Sequence, residues 1–223
     1  MLRPISRRSL PAWQEAVLLL TIAVVLAICL KTFVAQAFYI PSASMRPTLV
    51  ENDRILVEKV SYWGSAQPER GDVVVFGDPD DWLGEDGRRK SGPVTRALEK
   101  FGLYPAGGHL VKRVIGIGGD RVRCCDDRGR ITVNGRALDE GAYLPDGTEP
   151  SASRFDVQVP AQHLWVMGDN RGNSADSRAH LGEPGGGFVP DDLVVGKVWA
   201  LVWPLSRFKV VHRPGTFAEI PDS

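Results

Sequence analysis

The sequence predicts a mostly-β domain carried behind one N-terminal transmembrane helix. Two patterns predict it. Near the start lies an apolar run that neither Gly nor Pro interrupts, and after residue 40 come short Val/Ile/Leu segments punctuated by Gly, Pro, Asn and Asp. Composition sets the limits. The 223 residues are 43% hydrophobic and 24% charged, which excludes collagen, a coiled coil or a long disordered tail. Lys+Arg and Asp+Glu number 27 each, so charge gives no nucleic-acid footprint, and none is expected as a partner. Three cysteines are too few for a disulfide-framed fold.

The apolar run opens with Ala16 to Leu30, AVLLLTIAVVLAICL, and reaches Ile40 with only Lys31, Thr32 and Gln36 as polar interruptions. A span over 13–37 would be roughly 37 Å long as a helix at about 1.5 Å per residue, enough for a bilayer core of about 30 Å. Arg3, Arg7 and Arg8 precede it, and no acid appears until Glu15. The positive-inside rule then makes 1–12 a cytoplasmic tail and puts 38–223 across the membrane. A removed signal peptide fits the same residues, because Ala35-Gln36-Ala37 matches the A-x-A cleavage pattern. A lipoprotein signal at Leu26-Ala27-Ile28-Cys29 fits poorly, since Ile28 is bulky and the apolar run continues past Cys29. By itself the run leaves anchored and cleaved both open.

Strands are expected at 54–60, 72–76, 110–115, 120–123, 131–133, 163–167 and 193–203, with turns such as Asn134-Gly135 between them. One soluble stretch, 94–101 (VTRALEKF), has helical character. It lies in a polar insertion, 77–108. No internal repeat is present.

Three places offer chemistry. In Ile40-Pro41-Ser42-Ala43-Ser44-Met45-Arg46-Pro47-Thr48-Leu49, two prolines bracket two serines, which makes the backbone stiff and extended. A nucleophile at Ser44 would lie at the membrane surface; a Pro/Ser linker has the same composition. In Leu110-Val111-Lys112-Arg113-Val114-Ile115, period-2 alternation puts Lys112 on the face of Leu110 and Val114. An ammonium against apolar neighbours loses hydration, its pKa falls, and the neutral amine becomes a general base for a serine. A solvent-facing edge lysine is the plain alternative. The third place is the polar loop 168–178, GDNRGNSADSR, directly after an apolar strand.

Other matches fail. The histidines His109, His163, His180 and His212 stand outside any H-E-x-x-H, and no serine sits in G-x-S-x-G. Ser206-Arg207-Phe208-Lys209 fits S-x-x-K, but no K-T-G follows. Gly116-Ile117-Gly118-Gly119-Asp120-Arg121 lacks the third glycine of a dinucleotide loop. Cys124-Cys125 has no second pair to build a zinc site; as neighbours they form a strained bridge or stay free.

In order, these segments resemble the boxes of bacterial type I signal peptidases, membrane-bound Ser/Lys endopeptidases, from residue 38 to 204. Phe38-Tyr39 through Leu49 resembles the nucleophile box. Residues 53–59 (DRILVEK) and 70–76 (RGDVVVF) resemble the two after it. Residues 111–116 (VKRVIG) with Gly119-Asp120 resemble the general-base box, and 168–178 the last. The resemblance implies a signal-peptidase-like β-fold, Ser44 as nucleophile, Lys112 as base, and no cofactor or metal. It implies Ser42 in the oxyanion hole and Ser174 bonded to Lys112. Asp169, Arg113, Asp176 and Arg178 would support the site. Ile40, Pro41, Met45, Leu49, Leu110 and Val111 would line pockets for small residues, which suits A-x-A substrates. It departs at Ala43, where the family usually has glycine.

The resemblance favours a retained anchor at the cell membrane, preproteins and the bilayer as partners, and Ala35-Gln36-Ala37 as a self-cleavage site. Two other functions fit the residues: a Ser-His hydrolase using His109 or His180, and a membrane-tethered domain that binds without catalysing. The sequence does not reveal the oligomeric state.

Overall fold

Residues 11–29, 34–62, 64, 66–84 and 108–221 are described by the computed structural model. Helix α1, Ala12–Cys29, starts where the Pro11 carbonyl accepts from the Gln14 and Glu15 amides at 2.8 and 3.1 Å. Its apolar side chains, Val17, Leu20 and Leu26 among them, are exposed on every side. At 18 residues it is about 27 Å long. Among the described residues no helix is long and apolar enough to cross a membrane.

The apolar run does not continue as helix to residue 37. Ala35–Tyr39 is strand β1, paired in antiparallel register with β2, Arg54–Glu58. The residues of AQAFY fit a half-covered sheet edge as well as they fit an apolar helix, and it is the ladder with β2 that satisfies their backbone as a strand.

The remaining strands are β3 (Val73–Gly77), β4 (His109–Gly116), β5 (Arg121–Cys124), β6 (Ile131–Val133), β7 (Arg136–Ala137), β8 (Phe155–Gln158), β9 (His163–Met167), β10 (Val189–Pro190), β11 (Val194–Trp203) and β12 (Lys209–Val210). Among the described residues they form two antiparallel sheets. The larger has the order β1-β2-β11-β3-β4-β9-β10, with β12 added to β11; the smaller has the order β7-β6-β5-β8. The predicted strands all exist, within a residue or two at each end. β1, β7, β8, β10 and β12 were not predicted: three of them are only two residues long, too short to carry a period.

The larger sheet is covered on both faces, as β3 demonstrates. Val73 and Val75 pack with Ile40, Met45, Leu49, Ile55 and Val57, whereas Val74 and Phe76 pack with Val114, Leu164 and Val166. A strand buried on both faces reads as an unbroken apolar run, and VVVF is one. β4 is its neighbour, so Lys112 occupies a central strand rather than an edge. The smaller sheet has its own core around Val122, Ile131, Phe155 and Trp165.

The predicted helix at 94–101 and most of the 77–108 insertion lie outside the described residues. The described start of that insertion packs back on the domain, with Trp82 stacked on His180 at 4.3 Å between ring centroids. Cys124 and Cys125 are bonded to each other.

Candidate active site

Ser44 lies in a short 3-10 turn, Ala43–Met45, between β1 and β2. The connection is pinned at both ends: Ile40 N–H donates to the Asp53 carbonyl and Asn52 N–H to the Ile40 carbonyl, each at 2.9 Å. Met45 and Leu49 are fully buried and anchor the turn to the core. The stiff, proline-bracketed segment is therefore a structured turn and not a free linker. Ser44 is itself buried, and its Oγ lies 3.2 Å from that of Ser42.

Lys112 is only 3% exposed. It pairs with Val74 across β3 and shares its face with Leu110 and Val114, as the alternation predicted. Burial pushes its amine down to about 8; Asp176 and Asp169 pull it up and Arg178 pushes it further down, but burial prevails. At that value a neutral amine is populated near physiological pH.

The 168–178 loop joins these parts. Met167 of β9 pairs with Arg113 of β4, so the chain leaves β9 beside Lys112. A methyl group placed on Gly168 would stand 2.2 Å from Ser174 Oγ and 2.5 Å from the Ser44 carbonyl oxygen. Gly168 is thus the point where the serine turn and the loop meet. Asn170 completes that contact: its N–H donates to the Ser44 carbonyl and its side-chain amide to the Ala43 carbonyl, both at 3.0 Å. Ser174 Oγ is buried and makes no well-formed hydrogen bond, although it lies near enough to Asp176 to help keep that carboxylate ionised.

Ion pairs hold the loop rigid. Arg113 grips Asp169 in a buried bidentate pair, Nε to Oδ1 at 2.8 Å and Nη2 to Oδ2 at 2.7 Å, and donates to the Gly71 carbonyl at 2.9 Å. Arg178 grips Asp176 in the same way at 2.9 and 2.7 Å, and Asp176 also accepts the Gly168 N–H at 2.9 Å. Burial alone would raise the Asp176 carboxyl; the Arg178 guanidinium holds it below its ordinary value. Such bidentate pairs fix geometry as well as charge.

The sequence missed a second tier. Arg171 donates to the Gly168 carbonyl at 3.1 Å and pairs with Glu140, to which Tyr143 donates at 2.6 Å. The Tyr143 ring lies under Arg113, 4.3 Å from its guanidinium carbon. Arg171 and Asn170 stood in the polar loop, but the loop's density gave no sign of their partners. Glu140 and Tyr143 lie in an unremarked stretch after β7, where no signal pointed to them.

The expected pocket residues do not share one face. Ile40, Met45 and Leu49 are buried beneath the turn, and Pro41 is exposed. Leu110 and Val111 are half-buried on opposite faces of β4. Of the histidines, His180 bonds Glu183 at 2.9 Å and stacks on Trp82, and His109 lies against Phe38. Among the described residues no group of three His, Cys, Asp or Glu side chains is placed to hold a metal ion.

A β-domain that brings a serine turn and a buried strand lysine to the same polar loop has the layout of a serine hydrolase. Comparison with known proteins makes the class specific. The family model described as signal peptidase, peptidase S26, matches residues 13–203, and the chain belongs to that family. It is a serine endopeptidase. Signal peptidase I of Mycobacterium tuberculosis is 45% identical over 236 residues, covering 94% of this chain and 78% of that one. A probable signal peptidase I-2 of Synechocystis is 39% identical, covering 87% and 75%. A crystal structure of a signal peptidase I from Enterococcus faecalis matches at 23% identity and a TM-score of 0.39, over 60% of this chain and 99% of that one.

Proposed function

We propose that this chain removes N-terminal signal peptides from exported preproteins, cutting after small residues of the A-x-A kind, with Ser44 as nucleophile and Lys112 as general base. The observation that carries the mechanism is the state of Lys112. It is buried on a central strand, its amine is drawn toward neutrality, and the loop beside it abuts the Ser44 turn.

The neutral Lys112 amine takes the Ser44 Oγ proton as Oγ attacks the scissile carbonyl. Negative charge develops on the carbonyl oxygen, where the Ser44 N–H and the Ser42 hydroxyl donate to it. The Lys112 ammonium then protonates the departing amine, and water hydrolyses the acyl-enzyme by the reverse sequence. Ser174, whose buried Oγ is left without a well-formed hydrogen bond, would turn to the Lys112 amine and orient it, while Asp169–Arg113 and Asp176–Arg178 hold the loop. Ile40, Met45, Leu49 and Val111, on the Ser44 side of β4, with Pro41 at the surface, would form the floor and wall that admit small side chains, and Leu110, on the other face, would act only at the far end of the strand.

Helix α1 anchors the enzyme at the cell membrane, with 1–12 cytoplasmic, the span within 13–37 and the catalytic domain of 38–223 outside. Its support is the stretch 16–28 of that helix, apolar except for Thr21 and exposed on every side, which water does not favour.

The test is cleavage of a purified A-x-A preprotein by the wild type beside Ser44→Ala and Lys112→Ala. Both variants are expected to be inactive. If Lys112→Ala cleaves while His180→Ala does not, the base is a histidine. Wild type that binds preprotein without cutting it defeats the catalytic reading altogether.

A further inference from the structure

The Ser44 turn is only three residues long, and an isolated 3-10 turn of that length holds its shape weakly. Its outer end is closed by the Arg46 N–H, which donates to the Ala43 carbonyl at 3.1 Å. The same carbonyl accepts a second bond, at 3.0 Å, from the Asn170 side chain. Because that acceptor is a carbonyl, the Asn170 atom facing it must be the amide nitrogen, the end able to donate.

The Ala43 carbonyl and the Ser44 N–H belong to one planar peptide group, and in a trans peptide they point in opposite directions. Fixing the carbonyl therefore aims the N–H. Meanwhile the Asn170 main-chain amide holds the Ser44 carbonyl at 3.0 Å, which fixes the next peptide plane. One residue thus restrains both peptide planes that meet at the Ser44 Cα. Asn170 can impose direction because its own loop is tied down: its carbonyl accepts from Asn173 N–H at 2.9 Å, and the Gly168 peptide before it is held by Asp176 and Arg171.

We propose that Asn170 is a positioning residue for the oxyanion hole: its side chain aims the Ser44 N–H at the developing oxyanion by holding the far end of the same peptide group. This rests on the reading of Ser44 as nucleophile. An oxyanion donor matters in the transition state and little in substrate binding, so misaiming it lowers kcat and leaves KM in place.

The experiment compares full-length wild type, Asn170→Ala and Asn170→Asp in detergent, with Ser44→Ala and Lys112→Ala alongside. Asn170→Asp keeps the shape but turns an acceptor toward the Ala43 carbonyl, and Asn170→Ala keeps the main-chain bond while removing the donor. For both we expect kcat to fall roughly 10- to 100-fold, short of or near the low end of losing a donor outright, with KM within about two-fold. A peptide aldehyde, whose adduct with serine mimics the tetrahedral intermediate, should weaken by the same factor as kcat/KM. The pH midpoint of Asn170→Ala should match wild type, because Lys112 titrates against Asp176, Arg178 and Asp169. Wild-type kcat in Asn170→Ala, a loss confined to KM, or a moved midpoint overturns the inference while Ser44→Ala and Lys112→Ala stay inactive. Cleavage by Ser44→Ala overturns the reading beneath it, and the inference with it. Melting temperatures near wild type separate misaiming from unfolding.

Discussion

Gly168 and Ser174 approach so closely that a methyl group on the glycine would stand 2.2 Å from the serine Oγ. Replacing Gly168 by Ala must therefore displace Ser174 or the Ser44 carbonyl on the other side. Neither is the free end of a flexible chain, so the clash should cost on the order of 1–3 kcal/mol of stability and a much larger share of activity. We expect Gly168→Ala to fold and to cleave preprotein at least about 100-fold more slowly, given what small misplacements cost at a reacting centre. A variant with wild-type kcat/KM would show that the serine turn and the 168–178 loop tolerate separation.

The Lys112 amine, held down to about 8 by burial, makes a definite pH dependence. If Lys112 is the base we propose for Ser44, only its neutral form can accept the proton. kcat/KM should therefore rise with pH through about 8 and level off above it, falling about tenfold per unit well below the midpoint. A profile from pH 6 to 10 checks this, and a midpoint near 6.5 would implicate a histidine instead.

Stability should move the opposite way in a lysine variant. The folded pKa of Lys112 is depressed, so the folded state binds its proton less well than the unfolded state does. The stability associated with it is complete above about 10.5, is lost as pH falls toward 8, and is constant below that. Lys112→Met removes this penalty. Thermal unfolding at pH 7 should show an inactive protein more stable than wild type by on the order of 1–3 kcal/mol, with the gap closing above pH 10.

Arg113 and Asp169 are almost fully buried, and each is the other's charge partner. Arg113→Met or Asp169→Leu alone leaves an unpaired charge in the core, which costs about 3–5 kcal/mol. The double variant should recover most of that loss while remaining catalytically poor, since it keeps packing and loses the geometry of the loop. Unfolding measured on all three gives the coupling directly.

Ala35-Gln36-Ala37 has the composition of a cleavage site, yet all three residues are paired with β2 in β1. A peptidase needs extended and unpaired backbone in its substrate, and the strand must leave the sheet to provide it. N-terminal sequencing of purified protein should find Ala35-Gln36-Ala37 still joined to the residues before them. A start at Phe38 would mean that β1 detaches readily enough to be cut.

Lys112 illustrates what was legible beforehand. Its alternation with Leu110 and Val114 located the face it shares, and the unbroken VVVF of β3 marked the neighbouring strand as central. Ser44, flanked by Pro41 and Pro47, was legible as a stiff segment, and the 168–178 loop as a polar cluster after an apolar strand. β1 was hidden because alanine and aromatic residues extend an apolar helix and a covered strand equally well; the choice was made by β2, 19 residues further along at the Ala37–Leu56 pair.

Glu140 illustrates the opposite. Nothing around it marks it as special, yet it supports Arg171, which supports Gly168, which lies against both Ser44 and Ser174. Periodicity, turn residues and ordered motifs are local, and they are what the sequence by itself determined: a β-rich domain behind an apolar helix, a serine between prolines, and a lysine on an apolar face. Which carboxylate neutralises which guanidinium, and which amide grips the serine turn, depend on contacts between residues as far apart as Ala43 and Asn170. Only the tertiary structure decided those, because burial removes water as a partner and leaves each polar group to find one across the fold.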